Sequence, residues 1–403
     1  MKRSLVFVSF LLVFINASIF SQPQSRPQPW WLSLENGKQQ YRAGDYGAAL
    51  LSFEDARRNR QAMYEQMERD LIALLSVNEV RRIGDSLERV EKFSKDRFYN
   101  RAYAALQELY YRVPKASLNN SANAALEAVG KLKDYPEAEY WIGEVYRIEG
   151  ELPLALSQFR KAYAMRDLFE NPGFGIELQY KIAGILLTRQ EYLEMIRVLD
   201  SVISEYDALW INAQQGDALI TQNVSSENKT TIPYAQASAS FASQAMSRTM
   251  ETEGIDRFLE MYRYNNSLVE PAHRRLGFFY AVTGRPSAQQ HLVFAFLIQN
   301  TVIIEEIMRH KFDFTLDDDS GRSALLIISE NINNNPLLLS YIDEVEYYKT
   351  VYYLASSLYR NGKSSVARNL WSFLASQPQA GEWRNRAVVQ VRSPYLEPVV
   401  ERP

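Results

Sequence analysis

The chain of 403 residues carries 45 lysines and arginines against 48 aspartates and glutamates, a formal net charge of −3, so no broad basic field steers it onto nucleic acid or an anionic membrane. A composition 46% hydrophobic and 23% charged belongs to a globular chain and excludes wholesale disorder and a polytopic membrane protein. With no cysteine and only His273, His291 and His310 as histidines, disulfides, zinc-thiolate sites and cysteine nucleophiles are excluded, and the means for metal binding or acid–base catalysis are few.

Lys2 and Arg3 precede an apolar run from Leu5 to Phe20 that is broken only by Ser9, Asn16 and Ser18 and is followed by a Gln/Pro stretch, Gln22 to Pro29. That layout predicts a secretory signal peptide over residues 1–21, with Ala17, Ser18 and Ser21 as small residues for cleavage, and a linker over 22–29. The protein is therefore expected to be exported, periplasmic or otherwise extracytoplasmic. The alternative is an uncleaved anchor, the one case in which membrane contact is expected, because the run is near the ~17-residue lower limit for spanning. The most apolar later stretch, Leu292 to Ile304, is interrupted by Gln299, Asn300 and Thr301 and reads as too short to cross a bilayer.

From Trp30 onward, apolar residues recur at three- and four-residue spacings and alternating runs are scarce, so the fold class is all-α. The clearest internal pattern is Ile142, Gly143, Tyr146, Gly150, Leu152, Ala155, Phe159 and Ala162. Small residues at 143, 155 and 162 suit two antiparallel helices in close contact, and Gly150 suits the left-handed residue that ends the first of them. The pattern resembles the tetratricopeptide repeat, a two-helix motif of about 34 residues. Further copies run through Gly37, Gly44, Tyr46, Ala49, Phe53 and Ala56; Ile182, Ala183, Leu186, Tyr192, Leu199 and Val202; Leu276, Gly277, Tyr280 and Gly284; and Leu354, Ala355, Leu358, Gly362, Ala367, Trp371 and Leu374. Two degenerate candidates use Tyr99 to Pro114 and Met246, Met250, Gly254, Leu259 and Pro271, the last proline ending a second helix. The turn positions are unequally spaced, so the resemblance implies a helical-hairpin solenoid with irregular inserted helices: an array over 30–213, a polar linker loop over 214–236, and a second array over 237–403 closed by a capping helix at about 381–391.

The resemblance also implies where partners bind. In this family the first helix of each repeat lines a concave groove, and the corresponding positions here are Trp31, Leu34, Lys38 and Tyr41; Glu137, Tyr140, Glu144 and Arg147; Glu177, Tyr180, Gly184 and Leu187; and Lys349, Tyr352, Ser356 and Tyr359. The candidate groove is thus carried by Trp31, Tyr41, Tyr140, Glu144, Arg147, Tyr180, Tyr352 and Tyr359, an aromatic surface suited to an extended or helical peptide. Tyr140 and Glu144 stand where some members hold a Lys and an Asn that clamp a partner's C-terminal carboxylate, which argues against that mode. Tyr146, by contrast, is expected between helices.

Catalytic motifs fail on their own terms. Gly362, Lys363 and Ser364 end like a phosphate-binding loop, but Ser357 stands at its first glycine; Leu178 replaces the third glycine of a dinucleotide-like pattern begun by Gly173 and Gly175. Asp317, Asp318 and Asp319 lack the ligand spacing of a calcium loop, with Gly321 at a ligand position. The histidines lie too far apart in sequence for two to share one helix face. The expectation is a non-enzymatic adaptor that binds protein or peptide partners, with no cofactor, metal or catalytic residue. A self-assembling scaffold is the second reading, and an α/α-fold carbohydrate-active enzyme using Glu137 and Glu144 the third. N-terminal sequencing of the native protein should find Gln22 or a near neighbour; an intact Met1 in the membrane fraction would show the segment to be an anchor.

Overall fold

The computed structural model describes residues 28–75, 130–207, 248–311, 314–316 and 322–400, with short pieces at 92, 219–221, 231–233 and 246. The segment expected to be a signal peptide, the repeat candidate from Tyr99 to Pro114 and the acidic run Asp317 to Asp319 lie outside the described residues. The described chain is helical: α1 (Trp30–Arg42), α2 (Tyr46–Leu75), α3 (Pro136–Ile148), α4 (Leu152–Ala164), α5 (Gly173–Thr188), α6 (Tyr192–Tyr206), α7 (Gly254–Met261), α8 (Glu270–Val282), α9 (Ser287–His310), α10 (Ala324–Asn333), α11 (Pro336–Glu344), α12 (Tyr347–Arg360), α13 (Ser364–Ser376) and α14 (Glu382–Arg392). One antiparallel pair, β1 (Leu219–Thr221) and β2 (Thr231–Pro233), sets Ile220 opposite Ile232. It falls inside the stretch expected to be a plain loop.

Five helix pairs turn in the same way. Gly44, Gly150, Gln190, Gly284 and Gly362 all have φ between +62° and +83°. Each donates its N–H to the carbonyl three residues back, and the next residue donates to the carbonyl five back: Asp45 to Gln40 at 3.0 Å, and Glu151 to Tyr146, Glu191 to Leu186, Arg285 to Tyr280 and Lys363 to Leu358 at 2.8 Å. This is the Schellman arrangement, which satisfies the last carbonyls of the first helix and reverses the chain in a few residues. Gln190 does it without glycine's freedom, at a cost of about 1–2 kcal/mol.

Close contact between the paired helices follows from small residues. A Cβ added to Gly143 would lie 2.6 Å from the Phe159 ring, and one added to Gly37 would lie 2.5 Å from Phe53. Ala155, Ala162, Ala49 and Ala56 are likewise fully buried. The core of the first hairpins joins Leu34, Phe53, Tyr135, Ile142 and Val145.

The chain forms two compact units, residues 1–178 and 179–403. The division falls inside α5 rather than in the polar segment 214–236. The reason is visible in the second unit: α6 continues into Asp207, which receives a hydrogen bond from His273 of α8 at 2.8 Å, and Tyr192 packs on Phe279. Two further expectations change. Pro271 lies in the first turn of α8 instead of ending a helix, because α7 stops at Met261. And the apolar stretch at Leu292 belongs to a 24-residue helix, α9, long and apolar enough to cross a membrane but with 78% of its most apolar window buried in the second unit. Its polar interruption is buried too: Gln299 donates to Glu270 at 2.6 Å, Tyr347 donates to Asn300, and the Tyr264 N–H donates to Thr301.

Replacing Ala155 with Leu should overpack α3 against α4 and lower stability by about 1–3 kcal/mol. Thermal unfolding of the variant at an unchanged midpoint would show this contact to be loose.

Candidate binding groove

Within the first unit the predicted groove residues divide. Trp31 is 54% exposed. Tyr41 is half-buried and stacks edge-on against Trp141 and Tyr46. Glu144 is buried and takes both guanidinium contacts from Arg147, at 2.9 and 3.2 Å, so this pair is neutralised internally. Tyr140 is not a surface residue: it is 5% exposed, its ring meets Trp141, Phe159 and Phe174, and its hydroxyl donates to Glu177 at 2.6 Å. Burial, followed by that carboxylate, drives the Tyr140 hydroxyl far above its ordinary value. Tyr146, expected in the core, is the half-buried one. The two tyrosines exchange roles because the first turns of α5 bring Phe174 and Glu177 onto the face that Tyr140 occupies.

Glu137 lies one turn earlier on α3. One carboxylate oxygen accepts the Glu170 N–H at 2.9 Å, and burial raises its carboxyl above the ordinary range. Glu137 and Glu144 are thus each bonded to a different neighbour, the Glu170 N–H and the Arg147 guanidinium.

In the second unit Tyr180 donates its hydroxyl to the Leu268 carbonyl at 2.5 Å and lies under the Arg275 guanidinium. Tyr359 packs on Trp371. Tyr352 is fully buried, with its hydroxyl donated to Glu397. Three of the predicted groove positions do converge. Gly184 and Leu187 of α5 and Lys349 of α12 line a cavity of about 460 Å³, together with Phe278 and Arg275 of α8 and Tyr353 of α12. Nothing lies within 4 Å of a Cβ placed on Gly184, so this glycine opens the cavity floor.

The cavity walls are apolar and its charges are uneven. Lys349 stands over the Phe278 ring at 4.4 Å and donates to Glu346 at 2.7 Å. Burial alone would raise the Glu346 carboxyl, but Lys349 and Arg274 together hold it below its ordinary range. Arg274 is consumed by Glu270 and Glu346. Arg275 is different. It donates to the Tyr180 carbonyl at 3.2 Å, and among the described residues no carboxylate lies within ion-pair distance of it. Burial lowers its affinity for its proton. A partly desolvated guanidinium beside apolar walls favours a carboxylate brought by a ligand. Counting back from the turn at Gly284, as from the other turns, falls on Phe278; Arg275 is one residue off that count, and no spacing rule finds it.

A second polar cluster links α6, α8 and α9. His273, far from His291 in sequence, meets it at 3.1 Å between Nδ1 atoms; Asp207 accepts from His273 at 2.8 Å and from the Tyr264 hydroxyl at 2.6 Å. With His273 Nε2–H donated to Asp207, its Nδ1 is left to accept from His291. Sequence spacing hid this pair because the imidazoles come from different helices. Asp207 and His273 are wholly buried and His291 is 5% exposed, so the cluster joins helices and offers no surface to a substrate.

No family model matches the chain. A Treponema pallidum (strain Nichols) protein, named only as uncharacterized, is similar to it: 23% identical over 367 residues, covering 90% of this chain and 89% of that protein.

Burial, then electrostatic interaction with the neighbouring His273, hold His291 well below its ordinary value of 6.5. The unfolded chain therefore binds a proton there below about pH 6.5 that the folded chain refuses, and stability is lost as pH falls through that value, by up to about 1.4 kcal/mol per pH unit. Thermal unfolding between pH 7.5 and 5 should show this slope reduced in His291→Gln; an identical slope would place the titration elsewhere.

Proposed function

We propose that the protein is an exported helical-repeat binding protein of the tetratricopeptide type, non-enzymatic, which holds an extended peptide or protein segment in the concave face of its second unit. The repeat reading is supported by five Schellman turns at the pattern positions and by burial of the small residues between paired helices. The observation that carries the binding reading is the cavity between α5, α8 and α12, where Arg275 has aromatic and aliphatic walls around it and, among the described residues, no carboxylate within ion-pair distance, Glu346 of the same cavity being taken by Lys349 and Arg274. A ligand carboxylate there would form a charge-assisted bond in a partly dehydrated setting, while Leu187, Phe278 and Tyr353 would cover the neighbouring apolar side chain. Export rests on the N-terminal sequence alone.

The reading favours acidic segments with an adjacent bulky apolar residue. Selection of random twelve-residue peptides on purified residues 22–403 should enrich that pattern, and Arg275→Gln should weaken the enriched peptides at least tenfold with an unchanged melting temperature. Enriched peptides that bind Arg275→Gln as tightly as the parent would move the site elsewhere.

A further inference from the structure

After α14 the chain leaves the helix at Ser393 and runs without regular structure to Val400, meeting α12 through Glu397 and the C-terminal end of α8 through Val400. This strap is held by its backbone. The Gln390 side chain accepts the Tyr395 N–H at 2.9 Å and donates to the Tyr395 carbonyl at 3.2 Å, as a neighbouring β-strand would. Arg360 donates to the Glu397 carbonyl at 2.7 Å, and the Val400 N–H donates to the carbonyl of Val282, which also lines the cavity described above. None of these bonds depends on the strap's side chains.

One side chain is read individually. Glu397 accepts from Arg386 at 2.9 Å and from the Tyr352 hydroxyl, with Gln390 at 3.4 Å. Arg386 is set in place beforehand, over the rings of Tyr352 at 4.6 Å and Trp383 at 5.0 Å. Two residues on, Val399 fills the space left by Gly284, where an added Cβ would come within 2.6 Å of it.

The strap's burial runs opposite to that of a structural tail. Glu397 keeps only 13% of its side-chain surface, whereas Leu396 is 56% exposed and Val400 50% exposed. A segment kept for stability buries its apolar side chains and leaves its charge in water; burying a paired charge contributes specificity more than stability. We propose that Arg386, Tyr352, Gln390 and the Gly284 notch form a recognition site for an extended partner segment carrying glutamate with a β-branched residue two positions later, and that Tyr395–Val400 is its resident occupant, displaced when such a segment competes. The strap lies on the α12 face where Tyr352 was predicted to meet a partner. The inference rests on the peptide-binding reading of the second unit, but the two fail separately, since Arg275 makes no bond to the strap among the described residues.

The test uses the full chain and a fluorescent peptide Ser-Pro-Tyr-Leu-Glu-Pro-Val-Val, read by anisotropy. A tethered strap competes at an effective concentration of about millimolar, so the parent protein should bind weakly. Glu397→Gln should loosen the strap and bind the peptide at least tenfold more tightly, and the double variant Glu397→Gln/Val399→Asp more tightly still. The same peptide with glutamine for glutamate should bind none of them, and adding Arg386→Gln should abolish the gain while Arg275→Gln leaves it intact. Folded release variants that bind no better than the parent would overturn the proposal, making the strap a fixed part of the fold. So would strap exchange into a concentration-dependent dimer with no affinity for the peptide, which would make a second copy the occupant.

Discussion

Two helices can approach to contact only where one of them gives up its side chain, and this protein repeats that concession. At Gly37 against Phe53 and at Gly143 against Phe159, an aromatic ring occupies the volume a Cβ would need. The alanines of the second helices, Ala49, Ala56, Ala155 and Ala162, complete the seam. A hairpin closed this tightly still has an outer apolar face, so it needs a neighbour to cover it. In the first unit Ile142, Val145 and Tyr135 of the third-helix region meet Leu34 and Phe53 of the preceding pair. The recurring left-handed turn makes the arrangement repeatable, since it satisfies the helix end and aims the chain back along itself within two residues.

The same economy of side chains creates space. Where successive first helices face one another across Gly184, there is no bulk to fill the gap, and the cavity of the second unit results. Charges around it are arranged so that Arg274 and Lys349 are balanced by Glu270 and Glu346, while Arg275 has no carboxylate within ion-pair distance among the described residues. Glu346 is itself held at φ 48°, a left-handed conformation that side chains resist and that persists because two cations grip its carboxylate. The distal part of the same face is occupied by the strap through Glu397. The second unit thus holds two guanidinium groups in different states, Arg275 bonded to a backbone carbonyl and Arg386 paired with the chain's own Glu397.

The polar clusters show how buried charge behaves when geometry closes around it. The Asp207–His273–His291 chain and the Gln299–Glu270–Arg274 network join helices that apolar packing alone would leave free to slide. Both lie in the second unit. The first ties the end of α6 to α8, and separate bonds of Tyr180 with Leu268 and Arg275 tie the second half of α5 to the same helix and its approach, so the compact units part inside α5 and not at the polar segment that composition marks as a break.

Much of the local structure was legible from the sequence, because it depends on residues near one another in the chain. The helical period, the hairpin turns at Gly44, Gly150, Gln190, Gly284 and Gly362, and the small residues between paired helices all follow from spacing. The inner face was legible in part: Gly184, Leu187 and Lys349 line the cavity, and the count that found them also reaches Phe278. What the sequence could not hold is which tyrosines are covered by something distant. Tyr140 is buried by Phe174 and Glu177, Tyr180 is half-covered by Leu268 and Arg275, and Tyr352 is buried under a strap 45 residues further on. Whether a face is groove or core depends on what packs against it, and a period of 3.6 residues specifies a face without naming its neighbour. The pairing of His273 with His291 and the isolation of Arg275 were decided at that level, by tertiary contact alone.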